Sequence, residues 1–213
     1  MLLNKNCLIV SGGDFSENLP ENVSFDYVIA CDRGYEYAHR LGLIPNVIIG
    51  DFDSSEKPKT EIKIIEHPVM KDDTDTMLAI RHATNSGFGN IYLSCALGGR
   101  FDHAFANIQS LAFAVNEGAD AYIYSDNTVI YAFSSKEIKL KKHDGWSLSC
   151  FALTDKCEGV TIKGTKFECI DETVFSSFPI GVSNVWKDDN AIIKCDKGTL
   201  MIIESRLKSD EHI

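Results

Sequence analysis

Short apolar runs and amphipathic stretches alternate through the first 124 residues. Residues 7–10, 27–31, 47–49, 62–65, 91–95 and 121–124 are rich in Ile, Val and Leu, and several are followed at once by Gly or Asp. Runs of that length and composition predict strands. Between them, residues 34–41, 74–83 and 101–116 repeat apolar positions at helical spacing. The last of these sets Phe101, Phe105, Ile108, Leu111, Ala112 and Val115 on a predicted buried face, with Gly118 as the stop. Strand and helix in alternation predict a mainly parallel sheet covered on both faces.

After about residue 124 the texture changes. Residues 129–133, 147–153, 159–162, 191–195 and 200–204 are strand-like, and turn signals such as His143-Asp144-Gly145 and Cys195-Asp196-Lys197-Gly198 separate them. No long helical pattern appears. The expected fold is therefore an α/β N-terminal domain with a mainly parallel sheet, residues 1–126, followed by a C-terminal all-β sandwich domain, residues 127–213.

Composition narrows the chemistry. The chain has 213 residues, with 21 Lys+Arg against 31 Asp+Glu, a formal net charge of −10. Such a field repels phosphate at long range, which argues against nucleic acid and anionic membrane as partners. A phosphate substrate would need local cations, and a divalent metal is the economical source. The seven cysteines are scattered through apolar segments with no zinc-ligand spacing, as in a reduced, cytoplasmic protein. No run approaches a membrane span, and the N-terminus lacks a secretory apolar region.

In an open parallel sheet, ligands bind beyond the carboxyl ends of the strands, and polar residues collect at those positions here. Gly50-Asp51-Phe52-Asp53-Ser54 follows the third run. Aspartates at i and i+2 point the same way on extended backbone. Their repulsion, about 4 kcal/mol at ~4 Å and an effective dielectric near 20, is relieved by a hard cation such as Mg2+. The same pentapeptide also fits a solvated acidic turn, and by itself it leaves both readings open. Lys71-Asp72-Asp73-Thr74-Asp75 opens the second helix. Asp73 or Thr74 can cap that helix, but a cap does not account for three aspartates in four residues. Asp32 ends the second strand, as a further contributor or a helix cap.

Leu97-Gly98-Gly99-Arg100-Phe101-Asp102-His103 opens the third helix. Glycines before a helix start suit an anion. Arg100, His103 and Asn107 share one stripe of that helix, which suits a phosphate or nucleotide and is also the ordinary polar face of an amphipathic helix. Ser11-Gly12-Gly13 after the first strand lacks a dinucleotide fingerprint, and no Walker-type loop occurs. His39, His67, His82 and His143 have no partner at ligand spacing and read as surface or core residues.

Taken in order, Asp32-Arg33-Gly34, Gly50-Asp51-Phe52-Asp53-Ser54, Lys71-Asp72-Asp73-Thr74-Asp75, Gly98-Gly99-Arg100-Phe101-Asp102-His103 with Asn107, and Gly181-Val182-Ser183-Asn184 resemble the thiamine pyrophosphokinases, bacterial type. The resemblance runs from about residue 7 to residue 205. It implies an enzyme that moves pyrophosphate from ATP to the hydroxyethyl group of thiamine, giving thiamine diphosphate and AMP. It further implies an N-terminal ATP- and metal-handling domain, a thiamine-binding β-sandwich, and a homodimer with its site at the subunit junction. By matching position, Asp51, Asp53 and Asp75 would hold magnesium and pyrophosphate, with Asp73 beside them as a catalytic group. Asp32, Arg33, Lys71, Arg100, Asp102, His103 and Asn107 would line the nucleotide and its phosphates, and Ser183 and Asn184 would meet thiamine. The general base falls to Asp75 or Asp73. The chain departs from the family pattern at Arg33, where Gly is usual, and at Gly181-Val182, where a hydroxyl is usual. It also lacks the late tryptophan that stacks on thiamine in animal members; Trp186 is a candidate by proximity to Asn184.

Overall fold

The structure is a computed structural model that describes residues 2–52, 57–66 and 73–208. Asp53, His67 and Lys71 lie outside the described residues. The chain is mostly β with three helices among the described residues, and it divides into two compact units, residues 1–126 and 127–213.

The first unit contains β1 (Leu3–Val10), β2 (Tyr27–Cys31), α1 (Gly34–Arg40), β3 (Val47–Gly50), β4 (Lys63–Glu66), α2 (Asp75–Asn85), β5 (Phe88–Ser94), α3 (Phe101–Asn116) and β6 (Asp120–Ser125). The strands lie in the order β6-β5-β1-β2-β3-β4 and pair in parallel throughout. Parallel pairing buries both faces, which is why the strands read as continuous apolar runs. Leu8, Val10, Val28 and Tyr92 pack on one side with Tyr37 and Ala38 of α1. Alternate residues point to the opposite face; Cys7, Ile9 and Ile29 are fully buried there, where α2 packs on β1 and β2. The chain steps outward from β1 to β4, then returns to place β5 on the other side of β1. That reversal makes a crevice at the carboxyl ends of β1 and β5.

The second unit is entirely antiparallel: β7 (Thr128–Lys141), β8 (Trp146–Ala152), β9 (Lys156–Lys163), β10 (Cys169–Phe175), β11 (Gly181–Asn184) and β12 (Asn190–Arg206). β12 runs beside β7 along its length, with β9 on its other side in the first half and β8 in the second. A bulge between Cys195 and Thr199 separates the halves. The Cys195–Gly198 turn signal is thus a kink within one strand, with Gly198 at φ +96°. Residues from both halves, including Phe133, Leu148, Val160, Ile193 and Ile202, share one core.

Glu204 sits at one end of that core and is 0 % exposed. His143, which the sequence leaves without a partner, places Nδ1 2.8 Å from the Glu204 carboxylate. The Tyr131 hydroxyl donates to the same oxygen at 3.2 Å. Burial pushes the Glu204 pKa up, and His143 and Tyr131 pull it back. An acid whose folded pKa is raised holds its proton longer in the folded state. Its stabilising contribution is complete below the unfolded value and is lost as pH rises through the folded one. Glu204→Gln is therefore expected to raise the melting temperature at pH 8 by about 2–4 °C, equivalent to roughly 1 kcal/mol, with the gap closing toward pH 5. A lower melting temperature at pH 8 would mean that the contacts of Glu204 with His143 and Tyr131 outweigh the burial cost.

Candidate active site

The acidic residues of the site come from the first unit, two of them directly past strand ends. Asp32 follows β2, Asp51 follows β3, and Asp75 is the first residue of α2. Each offers a carboxylate oxygen within 4.8 Å of the others, and all three side chains are half-buried. The chain turns abruptly to achieve this. Asp32 (φ 44°), Phe52 (φ 55°) and Cys95 (φ 54°) all take the left-handed conformation just past their strands. For residues with a Cβ such geometry costs about 1–3 kcal/mol each and collects at functional sites.

Gly50 explains how Asp32 reaches its neighbours. A Cβ at position 50 would lie 1.8 Å from Asp32 Oδ1, so only glycine leaves room for the carboxylate over the end of β3. The Phe52 amide donates to the same oxygen at 3.3 Å. Burial and the carboxylates of Asp75 and Asp51 raise the Asp32 pKa to about 7, against the smaller opposing effect of the Phe52 amide. Carboxylates crowded this way favour either a shared proton or a cation. Three hard oxygen donors at this spacing fit Mg2+ by donor type, and the cost of their mutual repulsion is what a bound cation removes.

The sequence places Asp53 with Asp51 and Asp75; the three described carboxylates that converge are Asp32, Asp51 and Asp75. Asp32 thus stands inside the cluster, a placement signalled by its position directly after a buried strand. Asp73 lines the same cleft, but its carboxylate accepts from Arg81 Nε at 2.7 Å. Thr74, not Asp73, caps α2, its hydroxyl accepting from the Met77 amide at 3.2 Å.

The cleft has a volume of about 590 Å³, of the size that holds a small-molecule ligand. Arg33, Arg100, His103 and Asn107 line it together with the acidic cluster. Arg100 is held by Asp102 through two hydrogen bonds, Nε to Oδ1 at 3.1 Å and Nη2 to Oδ2 at 2.6 Å. Asn107 is buried and donates to the Ala96 carbonyl at 2.8 Å, which anchors α3 to the turn after β5. The predicted buried face of α3 is displaced. Phe101 and Phe105 are 82 % and 50 % exposed, while Asn107, Ser110, Leu111, Ala114 and Val115 face inward. Turning the polar stripe toward the cleft carries the first two phenylalanines outward.

Ser183 and Asn184 belong to the second unit. Ser183 is exposed at φ 58°, its amide donating to Ser149 Oγ at 3.0 Å. Asn184 is buried; its amide group donates to the Phe167 carbonyl at 2.6 Å and to Thr165 Oγ1 at 3.0 Å, and its oxygen accepts from the Phe167 amide at 3.0 Å. Trp186 is a core residue, 8 % exposed among Leu148, Val160 and Ile193. It offers no open face for stacking, which corrects the candidacy based on proximity.

Gathered carboxylates beside arginines, at the switch point of a parallel sheet, are the equipment of a transferase that moves phosphorus groups. Comparison with known proteins makes the class specific. Residues 21–123 match the family model described as thiamin pyrophosphokinase, catalytic domain, and residues 135–200 match thiamin pyrophosphokinase, vitamin B1 binding domain. The thiamine pyrophosphokinase of Bacillus subtilis (strain 168) is 25 % identical over 184 residues, covering 83 % of this chain and 86 % of that protein. Its crystal structure superposes with a TM-score of 0.82 at 24 % identity, covering 95 % of this chain and 99 % of that one. The Geobacillus thermodenitrificans thiamin pyrophosphokinase gives 0.80 at 22 % identity, covering 96 % and 99 %. The yeast enzyme gives 0.71 at 14 % identity, covering 95 % and 86 %. The chain belongs to the thiamine pyrophosphokinase family of enzymes. No helix among the described residues is long and apolar enough to cross a membrane.

Proposed function

We propose that this enzyme transfers pyrophosphate from ATP to the hydroxyethyl oxygen of thiamine, releasing AMP, with magnesium as its metal. One observation carries the reading: Asp32, Asp51 and Asp75 converge within 4.8 Å, inside the segment that matches the family's catalytic domain. In this reading the first unit is an α/β domain for ATP and metal, and the second a β-sandwich domain for thiamine.

Asp51 and Asp75, joined by Asp32 and by Asp53, would hold Mg2+, whose chemistry is to neutralise phosphate charge and favour in-line displacement. The bond from the β-phosphorus to the AMP oxygen breaks as the thiamine oxygen bonds to that phosphorus. The hydroxyl proton goes to Asp75 or Asp73. Asp73 stands apart from the converging three, in the hold of Arg81, and so avoids the conflict between binding a cation and accepting a proton. Arg33, Lys71, Arg100, Asp102, His103 and Asn107 shape the nucleotide side. In the second unit Ser183 offers a hydroxyl for thiamine, and Asn184 fixes the loop at Thr165 and Phe167 beside it. We further infer a cytoplasmic homodimer with its site at the subunit junction. Exposed Phe167, Phe178, Ile180 and Val182 on the second unit support the dimer.

The test is direct. Pure protein incubated with ATP, magnesium and thiamine is expected to yield equimolar thiamine diphosphate and AMP by chromatography, and to yield neither with a chelator. ATP breakdown indifferent to thiamine would overturn the reading in favour of a hydrolase.

A further inference from the structure

Two arginines line the described part of the cleft, and they are in different states. Arg100 is bonded twice to Asp102, so an incoming anion must compete with a carboxylate for it. Arg33 makes no ion pair among the described residues. Its guanidinium instead lies 5.2 Å from the centroid of the Tyr37 ring. Tyr37 is a buried core residue whose ring packs against Phe15, with centroids 5.3 Å apart. At its other end the Arg33 stem abuts the turn after β1, where a Cβ on Gly12 would fall 3.6 Å from Arg33 Cβ. Ring and turn therefore restrain a side chain that would otherwise swing freely in solvent.

A guanidinium placed over a ring face keeps its N–H groups available at the edge. Here that edge belongs to a cleft whose other charged groups are mostly carboxylates. Asp32 is the preceding residue in the chain, yet the carboxylate bonded to Asp32 is that of Asp75, and the arginine stacks on Tyr37 of α1 instead. Positive charge is thus offered at a point separate from the carboxylate cluster. A ligand that reaches both Arg33 and a cation held by the carboxylate cluster must be anionic at more than one position along its length, as a polyphosphate is and a monophosphate is not.

Building on the ATP reading above, we propose that Arg33, held by Tyr37, is a specificity residue that recognises the phosphate chain and selects the triphosphate over the monophosphate. Charge-assisted hydrogen bonds of an arginine to phosphate are among the stronger polar contacts. The experiment is calorimetric binding of ATP and of AMP, in magnesium and without thiamine, to the wild type and to Arg33→Ala, Arg33→Lys, Tyr37→Phe and Tyr37→Leu. Arg33→Ala is expected to weaken ATP about tenfold or more and AMP less than about twofold. Arg33→Lys keeps the charge without the fork and recovers part of the loss. Tyr37→Phe matches the wild type, whereas Tyr37→Leu moves toward Arg33→Ala. In turnover, the KM for ATP rises more than that for thiamine. Arg33 is exposed, so its replacement leaves the melting temperature unchanged, which serves as the control for folding. ATP binding by Arg33→Ala within about twofold of wild type, or equal losses for ATP and AMP, would overturn this inference while leaving the reaction intact. Failure of the wild type to bind ATP would overturn both.

Discussion

Replacing Asp51 by asparagine is expected to cut turnover on the order of 10³-fold or more while the protein stays folded. The change removes charge and no volume from a half-buried group that already faces two other carboxylates. Asp32→Asn is expected to lose activity comparably and to be more stable than the wild type above pH 7. The Asp32 carboxyl keeps its proton to about pH 7 in the folded chain, against an ordinary value of 3.8. Its contribution to stability is therefore complete below 3.8 and is lost as pH rises through about 7. Above that, ionised Asp32 is repelled by Asp75 and Asp51, and asparagine abolishes the repulsion. Solvent screens this partly exposed group, so a gain of roughly 3 °C at pH 8 is expected rather than the full electrostatic amount. Magnesium should raise the wild-type melting temperature at pH 8 and do less for either variant. Product chromatography and thermal melts read both effects. Near-normal turnover by Asp51→Asn would remove the cluster from the mechanism, and loss of the fold would reduce these aspartates to structural residues.

Much of the first unit is legible because parallel strands covered on both faces appear as unbroken apolar runs. Residues 27–31 and 47–49 stand out for that reason, and the acidic residues after them could be assigned to strand ends. α3 shows where periodicity fails. Phe101 and Phe105 fit a helical apolar stripe, but Asn107 and Ser110 take the buried positions because their polar atoms bond to backbone carbonyls, Ala96 and Ala106. A hydrophobic pattern cannot anticipate a polar group that becomes buried by being satisfied locally. In the second unit β10 escapes notice because six of its seven residues are not buried, leaving no apolar alternation to read. β12 reads as two strands because Asp196-Lys197-Gly198 has the composition of a turn. Long-range pairing with β7 and β9 carries the strand through it, information absent from any local window. The convergence of Asp32 with Asp51 and Asp75 is of the same kind. It depends on β2 and β3 lying side by side in register, Cys31 opposite Ile49, so that consecutive strand ends deliver their aspartates to one point.

Two glycine substitutions are expected to separate that delivery from the fold. In Gly50→Ala the new methyl meets Asp32 Oδ1 at 1.8 Å, and the obstacle is the end of a side chain that can turn away. Asp32 is expected to leave the cluster, with activity falling about 10²-fold, the scale for an ångström-sized misplacement, and stability changing by less than about 1.5 kcal/mol. In Gly34→Ala the methyl meets the Val10 carbonyl oxygen at 2.0 Å, which is backbone of a central strand and bound into the sheet. That obstacle cannot turn away, so α1 must lift from β1. The expected cost is about 3 kcal/mol or more, read as a melting temperature lower by roughly 6–12 °C, with activity lost only in proportion to the unfolded fraction. The contrast is the measurement. If Gly50→Ala unfolds the chain as readily as Gly34→Ala, the room over β3 serves packing. If Gly50→Ala is fully active, Asp32 does not need its place above that strand. Inactivity with a nearly unchanged melting curve would mean that glycine at position 50 is there to admit a carboxylate to the cation site.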